Sequence, residues 1–333
     1  MRSLSHSELS KLTDCHAAWD FAYGGHLAGG CLQPRVTLPR LREGRAWGRG
    51  VATWHRTGDI HQAAAAVAAS LDGDAVDLRA AGAYDASEHE AMAGRILAML
   101  DHYSRNVQRL PLDAVEHPLD IPIPSRTGVR DSSRYRFTGY LDGVHRDQHG
   151  RAWIVEFKLR RTLSTLEALV LDRQGRRYAW GWWRQTGEQV AGVIYDERLN
   201  EEPKAPKVLA SGRTSHDKRQ VTTDALYLES CRATGTTPDT DTAAHLAARR
   251  WQQRHVVVFR PGELAEAGAE LVSLARIVAD LEAGRITPVR APSPRRCPTC
   301  FFRAACPNPS DVELVDAEYA RVPAKRDRKE ITA

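Results

Sequence analysis

Apolar residues along this chain switch from helical spacing to strict alternation near residue 135, then back to helical spacing after residue 160. Leu9, Leu12, Cys15, Trp19 and Tyr23 recur every three or four positions, a helical stripe with Ser7 as its N-cap. A Gly/Pro-rich connector, 24–39, follows. The Ala-rich stretch 42–71 reads as two helices broken at Thr57-Gly58-Asp59. Met92, Ile96, Met99, Leu100 and Tyr103 mark another helix over 85–103, with Ser87 near its cap and Glu90 three residues on. The segments 135–146 and 151–160 then alternate apolar and polar residues around DQHG, which predicts a β-hairpin. Beyond it the pattern predicts a helix over 164–186, a buried strand over 189–195, an edge strand at 207–210 and a helix over 224–234. A strand at 254–259, a helix over 262–283 and a Pro/Cys knuckle at 289–309 complete the pattern. No repeat of fixed period is visible. A helical first third, a mixed sheet in the middle and flanking helices make an α/β protein.

Composition narrows this picture only a little. At 333 residues with 42% hydrophobic and 27% charged positions, the chain is globular and long enough for a large core. Its longest apolar run, Ala63 to Ala69, falls far short of the ~20 residues that span a bilayer. The start, MRSLSHSELSKLTDC, lacks the apolar core of a signal peptide. An intracellular protein with no membrane association is the expectation. A net charge of +5 permits a phosphate-backbone partner without demanding one.

Candidate chemistry gathers on the hairpin. Glu156 and Lys158 are two apart, hence on one face of their strand. If the turn is centred on His149, Asp142 stands opposite Glu156, within cross-strand reach; a one-residue shift would put it on the other face. Two carboxylates and an ammonium among Val144, Ile154, Val155 and Phe157 suit a divalent cation and the water it activates. A solvated ion pair is the plain alternative, but burying paired carboxylates without a cation is costly. Downstream, Gln174 and Tyr178 share a helix face, and Arg176 and Arg177 between them are candidates for tracking phosphates.

The second constellation is Cys297-Pro-Thr-Cys300 with Cys306, three soft ligands on one polar loop. Zn²⁺ and iron–sulfur clusters both accept such a set. Cys15, in the first helix, is the best candidate for the fourth ligand, Cys31 the next; Cys231 reads as a buried helix residue. With Cys15 in the set, the site staples the two chain ends together.

Taken in order, these residues resemble the RecB-like branch of the PD-(D/E)xK nucleases. The narrower likeness is to the iron–sulfur exonucleases: the AddB nuclease domain, the Cas-four type CRISPR nucleases and related phage enzymes. The resemblance is carried by Ser5, Ser7, Leu9, Cys15, Trp19 and Tyr23, by Gly139 to Asp142, Glu156 to Lys158 and Gln174 to Tyr178, and by the closing cysteine trio. It implies a restriction-endonuclease-like mixed sheet flanked by helices, with an N-terminal helical part and an iron–sulfur staple. It also implies a [4Fe–4S] cluster on Cys15, Cys297, Cys300 and Cys306, and Mg²⁺ or Mn²⁺ at Asp142, Glu156 and the Phe157 carbonyl. Lys158 would be the catalytic lysine, and Gln174 and Tyr178 would touch DNA. The family's metal-binding histidine would be His55; registers with Gly48 at that position, or with His61, remain open.

The resemblance thus implies exonucleolytic phosphodiester hydrolysis on single-stranded DNA or DNA ends, in recombination, repair or end processing. A helicase or a recombination or CRISPR-type partner, and a bacterial or phage source, go with it. The domain reading is a helical region 1–115, a nuclease core 116–290, a cysteine knuckle 291–312 and a loose charged tail 313–333. A catalytically silent DNA-binding or partner-docking module of the same fold, and a zinc-containing variant, are the alternatives.

Overall fold

The computed structural model describes residues 1–35, 38–125 and 130–327. In chain order it runs β1 (Arg2–Ser5), α1 (His6–Asp14), α2 (His16–Trp19), β2 (Cys31–Pro34), α3 (Pro39–Thr57), α4 (Ile60–Ala80) and α5 (Ala86–Asn106). Then come β3 (Ala114–Pro124), β4 (Asp131–Arg146), β5 (Ala152–Arg160), α6 (Leu166–Val170), α7 (Arg173–Thr186) and β6 (Gly192–Leu199). The chain continues through α8 (Asp224–Ala233), α9 (Thr240–Ala247), β7 (Gln252–Val258), α10 (Glu263–Glu282), α11 (Val312–Glu318) and β8 (Tyr319–Val322).

The main sheet is mixed, in the order β1-β4-β5-β6-β7, with β3 on the other edge of β4. β1 runs parallel to β4 and β5 to β6; the remaining pairs are antiparallel. Period two then sorts the side chains of β5. Ala152 and Ile154 pack with Trp180 and Leu271 beneath α7 and α10, while Trp153, Val155 and Phe157 pack with Trp47, Val67 and Met99 beneath α3–α5. The expected mixed sheet flanked by helices is the fold observed. Among the described residues, no helix is long and apolar enough to cross a membrane.

Five local readings need correction. The helix expected over 164–186 is two, α6 and α7, parted at Leu171 and Asp172, where the Asp172 side chain caps the second. The first helix is broken: Ser5, not Ser7, caps α1, and Cys15 stands at the break with extended backbone. The region 1–115 is not purely helical, since it holds β1, β2 and the start of β3. The expected edge strand near 207–210 is only an isolated bridge between Val208 and Thr214. The tail is not loose over 313–327. There β8 pairs with β2, and Lys325 Nζ donates to the wholly buried Glu8 at 2.7 Å. Residues 328–333 of that tail lie outside the described residues.

Candidate active site

The hairpin ladder runs from Arg146↔Ala152 to Gly143↔Val155 and stops there. One more step in the same register would bring Asp142 opposite Glu156. Instead the strands part: β4 turns to β1, β5 stays with β6, and Asp142 Oδ2 accepts the Phe157 backbone N–H at 2.9 Å. Beside this fork, on the α7 face of β5, stand Glu156 and Lys158. Lys158 Nζ donates to Glu156 Oε2 at 2.7 Å and to Gln174 Oε1 at 2.9 Å.

Glu156 is 0% exposed, and its Oε1 has no hydrogen-bond partner. Burial pushes its carboxyl well above the usual range; Lys158 opposes that and Asp142 adds to it. Burial raises Asp142 as well. Burial alone would lower Lys158, but the two carboxylates outweigh it and raise its pKa. An orphaned buried carboxylate oxygen beside a second raised carboxyl is the donor set of a hard cation, so Asp142 and Glu156 could hold Mg²⁺ or Mn²⁺.

Helix α7 reaches the site through two glycines. A Cβ at Gly175 would lie 2.6 Å from Val193 Cγ2 and 2.7 Å from the Tyr195 hydroxyl, so only glycine lets the helix approach β6 this closely. A Cβ at Gly139 would meet the Tyr178 ring at 2.9 Å. Asp172 caps the helix by accepting the Gln174 N–H at 2.7 Å. Gln174 and Tyr178 are therefore brought to the carboxylates.

Arg176 and Arg177, expected to track phosphates, are both engaged by acids of α10. Arg176 pairs with Glu263 at 2.9 Å and donates to the Val170 carbonyl at 2.7 Å. Arg177 is fully buried and donates to Glu270 at 3.0 Å. Both fasten α7 to α10: Arg176 stands opposite Gln174 on the helix, whereas Arg177, one turn on from Gln174, is taken up by Glu270.

His55 does not join the carboxylates either. It stacks on Phe157, with ring centroids 5.2 Å apart and planes at 9°, on the opposite face of β5 from Glu156. Its Nδ1 accepts the Leu110 N–H at 2.9 Å, and its Nε2 is 2.9 Å from the Tyr103 hydroxyl. Burial, with Arg254 adding to it, lowers its pKa to about 3, so it is a neutral core residue. His61 is exposed in the first turn of α4.

One residue beside the site escaped the sequence reading. β1 delivers His6 to the fork, where its ring lies 6.0 Å from that of Tyr178 and its Nδ1 is 3.4 Å from Arg177 Nη1. Burial, then Arg177, lowers its pKa to about 4. RSLS is too short and polar to announce a strand; the nearby Ser5 and Ser7 pattern was the only signal.

Cys15, Cys297, Cys300 and Cys306 line one cavity of ≈420 Å³, together with Lys11, Arg295 and Arg296. Ala291 N–H donates to Cys15 Sγ at 3.4 Å and Ser293 N–H to Cys297 Sγ at 3.3 Å. Cys31, in β2, and Cys231, in α8, are buried elsewhere. Four free thiols, backbone donors and flanking cations fit a thiolate-bound cluster. Among the described residues, no three His, Cys, Asp or Glu side chains converge on the point that a single ion would occupy.

No curated protein matches the chain. A solved structure titled "Crystal structure of SSO0001" aligns at 15% identity over 71% of this chain and 78% of its own, with a TM-score of 0.32, too loose a likeness to bear on the site. The sequence profile of the PD-(D/E)XK nuclease superfamily matches residues 3–307, a span that takes in the hairpin carboxylates, the lysine and all four clustered cysteines. The chain belongs to the PD-(D/E)XK nuclease superfamily.

Proposed function

We propose that this protein is a metal-dependent DNA exonuclease of the RecB-like iron–sulfur type, hydrolysing phosphodiesters on single strands or DNA ends in recombination, repair or end processing. Family membership supports nuclease chemistry on DNA and a divalent metal. The observation that carries the reading is the buried, unpartnered Glu156 Oε1 beside Asp142 and Lys158. Asp142, Glu156 and the Phe157 main-chain carbonyl would hold Mg²⁺ or Mn²⁺, which when bound supplies Lewis-acid stabilisation and a more acidic water. Lys158, held by Gln174, places a fixed positive charge where the phosphate gains negative charge. Tyr178, buried against Gly139 and His6, backs the carboxylates on the α7 side.

Cys15 and the knuckle cysteines would hold a [4Fe–4S] cluster joining the two chain ends. Supporting this, the Arg296–Asp14 ion pair (2.9 Å) already bridges a sequence separation of 282 residues. Brown colour after anaerobic purification is the expected result; a colourless protein carrying one zinc would overturn it.

The silent DNA-binding alternative draws on one observation: His55 faces away from the carboxylates. End-labelled single- and double-stranded DNA with Mn²⁺ decides between the two. Progressive loss of label with the parent, slowed by about 100-fold or more in Lys158→Ala and Glu156→Ala, is expected. Intact DNA in every lane, from protein that retains its cluster, would favour the silent module.

A further inference from the structure

The strands that carry the carboxylates change face at one position. Along β4, Tyr135, Phe137 and Leu141 pack in the core beneath α7 and α10, and Gly139 lies against Tyr178. All four are odd-numbered, yet Val144 packs in the same core. β3 mirrors the change. Leu119, Ile121 and Ile123 face that core, and the His117 ring lies 5.1 Å from Trp182; Ala114 faces it too, whereas Val115 joins the cluster on the other side.

The register does not slip across this reversal. Val115↔Gly143 and His117↔Leu141 flank it in one unbroken count, and the pair between them, Glu116 and Asp142, is missing from the ladder. Glu116 has φ 50, the left-handed region, which no other non-glycine among the described residues adopts. Such a conformation persists only where the surroundings over-determine it. Had the alternation continued from Leu141, Asp142 would stand on the face of Thr138 and the exposed Tyr140, away from Lys158. Instead it reaches β5 and binds the Phe157 N–H.

We propose that Glu116 is a positioning residue: its left-handed backbone reverses the pleat of the β3–β4 pair and delivers Asp142 to the face that holds Glu156 and Lys158. What Asp142 does there rests on the nuclease reading above; how it arrives there does not.

Two measurements separate the two questions: hydrogen exchange of the Phe157 amide, which reports Asp142's placement without metal, and Mn²⁺ affinity by calorimetry. Asparagine tolerates left-handed backbone, glutamine keeps the shape without the charge, and valine, branched at Cβ, resists that backbone. Glu116→Asn and Glu116→Gln should keep parental amide protection and Mn²⁺ affinity within about threefold, whereas Glu116→Val should lose about tenfold or more in both. If Glu116→Val does not fold, Glu116→Thr takes its place with the same expectation. Phe157 protection equal in Glu116→Val and parent would overturn the proposal. So would loss of Mn²⁺ binding in Glu116→Gln as large as in Glu116→Val, since the carboxylate and not the backbone would then matter. Lost protection in Glu116→Val alone, in a parent that binds no Mn²⁺, would support the positioning role and count against the nuclease reading.

Discussion

At the scale of single residues, Glu156 and His55 are opposite cases of burial. Glu156 has its carboxyl pushed up from 4.5 to about 8, chiefly by desolvation. The folded state therefore keeps a proton there that the unfolded chain releases, and stability falls as pH rises from about 4.5 to about 8. Glu156→Gln should flatten that slope in metal-free melts, and Mn²⁺ should flatten it in the parent; an unchanged slope in Glu156→Gln would show that the carboxyl is not so perturbed. His55 is held neutral, so its contribution is present at neutral pH and is lost as pH falls from 6.5 towards about 3. Truncating it removes packing on Phe157 and two hydrogen bonds. His55→Ala should cost about 2–4 kcal/mol in urea denaturation while leaving Mn²⁺ affinity within about threefold. A selective loss of Mn²⁺ affinity would make it a ligand after all. The residue types at the site were legible in the sequence, because carboxylate, lysine and cysteine spacings carry their chemistry openly. The direction a helix turns its arginines was not: Arg176 and Arg177 read as free cations until α10 supplies Glu263 and Glu270.

At the scale of elements, the β4–β5 hairpin was readable because alternation and a short polar turn fix both register and face. β3 was not, since Pro118, Pro122 and Pro124 argue against a strand. They are tolerated because, among the described residues, β3 pairs only with β4 and its other edge carries no strand. The close seat of α7 on β6 was equally hidden, since Gly175 inside a helix looks like a weakness. Gly175→Ala should therefore destabilise, against its helix propensity, by about 1–3 kcal/mol through overpacking. It should also slow DNA cleavage by moving Gln174 off Lys158. A variant as stable and active as the parent would mean that β6 yields to the added methyl group.

At the scale of the whole molecule, the two chain ends form one unit. Phe21 packs with Phe302 and Tyr319, Ala17 N–H donates to the Val289 carbonyl at 3.1 Å, and the clustered cysteines line the cavity beside them. The cysteine order in the sequence suggested this closure; the added β2–β8 pairing did not show, because each strand is four residues long. With the proposed cluster in place, Cys15→Ser should bleach the protein and lower its melting temperature, while Cys231→Ser should keep the colour. Colour retained in Cys15→Ser would return the fourth position to another residue.

The same closure makes distant segments depend on one another. Glu8, fully buried, has Arg2 on one side and Lys325 on the other. Proteolytic loss of the segment around Lys325 would therefore be felt 317 residues away. The buried acid of α1 would lose one of its two cations, and β1, which precedes α1 directly and pairs with β4 just before Gly139, would rest on a weakened base.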